Sequence, residues 1–129
     1  GRKEHFSVFG NDYATPDGTA IRDYIHVMDV AEAHVKVLEY LNSNKETFIS
    51  INLGTGKGTT ILELIKKFEN VNNVKVPYIY SERRIGDSAY LVADNSYSIS
   101  KFNLVPNRSM EDMCRDSWKW IQNNKNGYY

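Results

Sequence analysis

Cysteine is nearly absent: Cys114 stands alone among 129 residues. That excludes a disulfide framework within the chain and fits a reducing, cytoplasmic setting. Charge of one sign is missing too. Sixteen Lys and Arg balance sixteen Asp and Glu, so there is no bulk electrostatic case for nucleic acid or for an anionic membrane surface. No apolar run approaches the roughly 18–20 residues of a membrane span, and no signal-peptide pattern opens the sequence. The three histidines do not gather with carboxylates, and His26 and His34 lie eight residues apart, so no metal site is expected. An initiator Met is lacking as well. The chain opens Gly1-Arg2-Lys3 and is expected to be a piece of a longer polypeptide. Repeats, low-complexity tracts and internal linkers are absent, so residues 1–129 read as one domain-sized unit.

What is present is an alternation of strand and helix patterns. "HFSVF" (5–9) alternates as a short strand does. "TPDGT" (15–19) is a turn in which Pro16 presets φ and Asp17-Gly18 supply turn chemistry. "RDYIHVM" (22–28) reads as extended. Asp29 is the expected N-cap of a helix over 30–42, with Glu32 as its capping-box partner and Val30, His34, Val37, Leu38 and Leu41 at helical spacing. "TFISINL" (47–53) is β-branched and apolar, a strand. Thr60 and Glu63 form a capping box ahead of Ile61, Leu64, Ile65 and Phe68. "VKVPYIY" (74–80) is a strand that Pro77 assigns to an edge. Residues 81–88 are a loop, and 95–102 form a short helix. Ser109 caps the last helix, whose apolar stripe holds Met110, Met113, Cys114, Ser117, Trp120 and Ile121, with Trp120 in the core. The class is α/β.

Three stretches carry chemistry-bearing patterns. "GTGKGT" (54–59) follows a strand pattern and precedes a helix, but a dinucleotide fingerprint needs a third glycine where Thr59 stands, and a Walker loop needs four residues before its Gly-Lys pair. A plain glycine turn feeding a capped helix explains it better. Tyr97 and Lys101 share a helix face at the spacing of a dehydrogenase proton shuttle. With nine tyrosines and ten lysines, such a pair also arises readily by chance. Arg83-Arg84-Ile85-Gly86-Asp87 combines two guanidinium groups with a turn glycine and an acid. Arginine grips phosphate with two parallel bonds and a carboxylate accepts from hydroxyls. A phosphate site and a solvated loop both fit these residues.

Read together and in order, "FGNDYATPDGTAIRDYIHVMDVAEAHV", "INLGTGKGTTILELI", "RRIGDSAYLVAD" and "MCRDSWKWIQNNKNGY" resemble the C-terminal part of the UDP-glucose 4-epimerases, within the extended short-chain dehydrogenase/reductase family. The resemblance runs from about Phe6 to the end of the chain. It implies a Rossmann-type enzyme whose N-terminal NAD-binding half is absent here, and a chain that is its substrate-binding part. In such enzymes a hydride leaves sugar C4 for NAD, the 4-keto sugar turns about its diphosphate link, and the hydride returns to the other face. The UDP end must therefore be held while the hexose stays free to turn. The resemblance assigns Arg22 and Arg84 to the diphosphate and Asp87 to the uridine ribose. Phe9 lies by the uracil, with backbone at Ser7 and Val8, and Tyr24 also lines the pocket. Leu91 falls beside the sugar's 2-substituent, where a side chain of intermediate bulk implies at most partial acceptance of N-acetylated UDP-sugars. No catalytic, NAD-binding or metal-binding residue is implied within this chain, so it is expected to be inactive alone. UDP-sugar is the implied substrate, and a homodimer is implied for the full-length proteins. A sister nucleotide-sugar dehydratase or decarboxylase, and a non-catalytic nucleotide-sugar binding module, remain as alternatives.

Overall fold

Two helices open on capping boxes. Thr60 accepts from Glu63 N at 3.1 Å while the Glu63 carboxylate accepts from Thr60 N, a capping box that opens α2 (Ile61–Asn72). Ser109 and Asp112 repeat the arrangement at the start of α4 (Met110–Asn123). Each box satisfies amides that have no intrahelical acceptor. The computed structural model describes residues 3–44 and 48–127. Within them the other helices are α1 (Val27–Ser43) and α3 (Ser96–Phe102).

Among the described residues five short strands form two sheets. β1 (Phe6–Phe9) pairs in parallel with β4 (Tyr78–Ser81). β2 (Ile21–Asp23) is central in the other sheet, antiparallel to β3 (Gly58–Thr60) and parallel to β5 (Tyr90–Leu91). Pro77 sits just before β4, where its carbonyl accepts from Phe6 N at 2.8 Å, a position that needs no proline donor. The α/β class expected from the sequence is the one found.

The 15–19 turn stitches the second sheet to α2. Asp17 accepts from Thr19 N, Thr19 Oγ1 and Thr60 Oγ1 at 2.5–2.9 Å, and the wholly buried Thr19 in turn accepts from Ile61 N. Helices α2 and α4 pack face to face, with Phe68 and Trp118 edge-on at 5.8 Å and Lys67 paired to Glu111 at 2.5 Å. The core lies beneath these contacts and includes Val8, Ala20, Ile65, Leu104 and Cys114.

Four expectations are corrected. The N-cap of α1 is His26, whose ring accepts from Met28 N at 3.0 Å. Asp29 is buried one turn inside and is claimed by Arg108, through its backbone N at 3.2 Å and Nη1 at 2.5 Å, while Glu32 takes Arg108 Nη2. The extended run over 22–28 stops at Asp23 in the ladder, and Val27 and Met28 are already helical. The strand over 47–53 does not form among described residues 48–53, and Thr47 lies outside them. An apolar, β-branched segment becomes a strand only when a neighbour takes its backbone bonds. Trp120 is 42% exposed rather than core, because α2 covers the Trp118 side of α4.

Candidate functional site

The parallel β1 ladder and the centre of the second sheet face a shared cleft. Its volume is about 970 Å³, and its walls include Ser7, Val8 and Phe9 from β1, Arg22 from β2, Tyr24 just beyond it, and Arg84 and Asp87 from the loop after β4. Seven of the eight sequence-predicted site residues are thus brought together. Leu91 is the exception. It stands on β5 in register with Arg22, is 63% exposed, and does not line the cleft.

The arginine on β2 is held from two directions. Arg22 Nη1 donates to Ile21 O at 2.7 Å, which ties one end of the fork to its own strand. Nη2 donates to Asp87 Oδ1, a pairing across sixty-five positions of sequence. Asp87 is placed by a tight turn: its N–H donates to Arg84 O at 3.1 Å, and Gly86 between them has φ +79°, a conformation that side chains with Cβ rarely adopt. Arg84 and Asp87 are therefore the two ends of one turn.

The adjacent arginines go separate ways. Arg83 donates to Asp12 from Nε at 2.6 Å and from Nη2 to the Asp12 carbonyl, and it stacks on Tyr13. It belongs to the outer loop. Arg84 instead lies with its guanidinium carbon 3.9 Å from the centroid of the Phe9 ring, a cation–π contact that keeps the cation inside the cleft. Tyr24 is half-buried beside them. Burial pushes its phenol above the usual value and the charge of Arg22 opposes this, so at neutral pH it is an uncharged hydroxyl. Two cations, a carboxylate, an aromatic face and a hydroxyl thus converge on one volume, a set suited to an anionic ligand that also carries hydroxyls and a ring.

Phe68 and Trp118 also line this cleft, and the sequence reading did not assign them there. Phe68 belongs to the apolar stripe read for its helix, which announces packing and does not distinguish a buried face from a cleft wall, while Trp118 falls outside the stripe read for the last helix.

The "GTGKGT" stretch is a nest already filled by the chain. Asp23 accepts from Thr55 N at 2.9 Å, Thr55 Oγ1 at 2.5 Å, Gly56 N at 2.9 Å and Ala93 N at 3.3 Å. A Cβ at Gly54 would sit 2.5 Å from both Ala93 Cβ and Asp23 Oδ2. Amides that could cradle a phosphate are committed to a carboxylate instead, so this loop does not fit a dinucleotide. Lys101 Nζ lies 5.1–5.8 Å from the rings of Tyr40, Tyr97 and Phe102, and neither it nor Tyr97 lines the cleft. Among the described residues no group of three or more His, Cys, Asp or Glu could hold a metal ion, and no helix is long and apolar enough to cross a membrane.

Comparison with known proteins bears on this arrangement. Residues 2–54 match the NAD dependent epimerase/dehydratase family. The chain is 50% identical over 129 residues to a UDP-glucose 4-epimerase of Bacillus subtilis, covering 99% of this chain and 38% of that protein. Its fold matches the crystal structure of the Bifidobacterium longum UDP-glucose 4-epimerase in complex with NAD+ and UDP, with a TM-score of 0.91 and 40% identity over 99% of this chain and 38% of that one. It also matches a Stenotrophomonas maltophila UDP-glucose 4-epimerase with bound NAD and formylated UDP-arabinopyranose, with a TM-score of 0.89 and 45% identity over 95% of this chain and 36% of that one. The chain thus spans little more than a third of the proteins it resembles. Residues 2–54 carry the family match, and the chain as a whole corresponds to a part of the epimerases it is similar to.

Proposed function

From that similarity and the geometry of the cleft, we propose that this chain is the UDP-anchoring, C-terminal portion of a UDP-glucose 4-epimerase, which interconverts UDP-glucose and UDP-galactose. The observation that carries the proposal is the convergence of Arg22 and Arg84, from segments sixty-two residues apart, on the volume that also holds Phe9, Tyr24 and Asp87. Arg22 and Arg84 would take the diphosphate, Asp87 a ribose hydroxyl, and Phe9 the base. The chain's share of the reaction is to hold one end of the substrate firmly. The redox step would fall to NAD and to residues outside this chain, a reading supported by the glycine loop, whose Thr55 and Gly56 amides are already taken by Asp23.

Titration with UDP tests the proposal. The chain should bind UDP, and Arg22→Ala should weaken binding about 10- to 100-fold, the scale of one charge-assisted contact of roughly 1.5–3 kcal/mol. Alone it should show no epimerase turnover. UDP affinity unchanged in Arg22→Ala would refute the assignment. Partial acceptance of UDP-N-acetylglucosamine by the full-length protein remains the expectation attached to Leu91, and absence of turnover with that substrate refutes it.

A further inference from the structure

The pairing of Arg22 with Asp87 raises a question that the anchoring role leaves open, since a phosphate and this carboxylate want the same guanidinium edge. Arg22 spends Nη1 on Ile21 O at 2.7 Å and Nη2 on Asp87. The first bond is to its own strand and does not depend on Asp87. Removing the carboxylate therefore leaves the Nη1 tether in place and frees the Nη2 donor, on a side chain that lines the cleft. Asp87 in turn sits at the end of the tight turn that starts at Arg84, so it can move off Arg22 without unfolding either sheet. Both side chains are about a quarter exposed, which places the pair within reach of a ligand and keeps the cost of breaking it modest.

Resting on the cleft reading above, we propose that Asp87 is an internal competitor for the anion and thereby a specificity residue. A bare anion reaches the Nη2 donor that Asp87 holds only by displacing that carboxylate, which is then left beside it without this donor and repels it. A ligand that brings hydroxyls along with its phosphates gives the displaced carboxylate new donors and recovers what was lost. The pair therefore discriminates nucleoside diphosphates from free inorganic phosphate and pyrophosphate, which share the anionic chemistry but offer no sugar hydroxyl. This is selection by an interaction built against the wrong ligand rather than by an extra contact to the right one.

The test is calorimetric titration of the full 129-residue chain, as wild type, Asp87→Asn and Asp87→Ser, with inorganic pyrophosphate and separately with UDP at low ionic strength. Both variants are expected to bind pyrophosphate about three- to tenfold more tightly than wild type, the scale set by an ion pair at a partly exposed site. UDP affinity should stay level or fall. Opposite movement of the two ligands is a result that a merely structural brace cannot give, since loosening Arg22 would weaken both. Pyrophosphate binding that is unchanged or weaker in both variants, with UDP still bound by the wild type, overturns this proposal and leaves the UDP site standing. Failure of the wild type and both variants to bind either ligand overturns both.

Discussion

Asp23 and Thr55 are bonded twice, with the Thr55 amide and hydroxyl both donating to one carboxylate oxygen at 2.9 and 2.5 Å. This relationship decides what the glycine loop is. Its donors converge on a carboxylate from β2, so the loop fastens the strand that carries Arg22.

The first prediction concerns acid. Burial alone would raise the Asp23 carboxyl, but the bonds from Thr55, Gly56 and Ala93 outweigh it and hold the group below its ordinary 3.8. A lowered folded value contributes stability that is complete above the ordinary value and lost as pH falls through the folded one. Asp23→Asn should therefore cost about 1–3 kcal/mol at pH 7, with a smaller gap to wild type at pH 2–3. Urea unfolding at the two pH values measures this. An equal gap at both would contradict it.

Gly54→Ala tests the same fastening from the other side. A methyl 2.5 Å from Ala93 Cβ and from Asp23 Oδ2 cannot be accommodated without moving one of them. The expected loss is about 1–3 kcal/mol, read as a lowered urea midpoint.

His26 should matter for α1 rather than for ligand. It is 4% exposed, accepts from Met28 N at 3.0 Å and lies 3.2 Å from Asp116 of α4. His26→Ala should cost about 1–3 kcal/mol through the lost cap and the space left behind. His26→Asn, which keeps a capping oxygen, should recover about 1 kcal/mol. Thermal unfolding monitored by circular dichroism ranks the three.

The two adjacent arginines should separate cleanly. Arg84→Ala is expected to reduce UDP affinity about 10- to 100-fold. Arg83→Ala, which loses an exposed ion pair with Asp12 and its packing on the Tyr13 ring, both outside the cleft, should leave UDP affinity within about twofold. Equal effects from both would mean that the turn, and not the Arg84 guanidinium, makes the contact.

Much of the fold was legible because its signals are local. Thr60 with Glu63 is a capping box in sequence and in space, and Ser109 caps the last helix as expected. The failures are non-local. Nothing near Asp29 reveals that Arg108, seventy-nine positions on, will claim it and leave the cap to His26. Strands β3 and β5 are three and two residues long and exist through pairing with β2, so no periodicity could announce them. Residues 48–53 had the composition of a strand and lacked the neighbour. In the cleft, the Arg83–Asp87 stretch was a candidate on its own chemistry, but joining it to Arg22 and Phe9 needed the family resemblance. The wall formed by Phe68 and Trp118 was invisible, because the stripe that holds Phe68 looks the same whether it is sealed or faces a cleft, and Trp118 lies outside the stripe read for the last helix.

The most direct measurement is a crystal structure of this chain with UDP bound. The account predicts phosphate oxygens within about 3 Å of the Arg22 and Arg84 guanidinium groups, with the uracil against Phe9 and a ribose hydroxyl on Asp87. Phosphates seated on the Gly54–Lys57 loop, or a nucleotide lying outside the β1–β2 cleft, would contradict it.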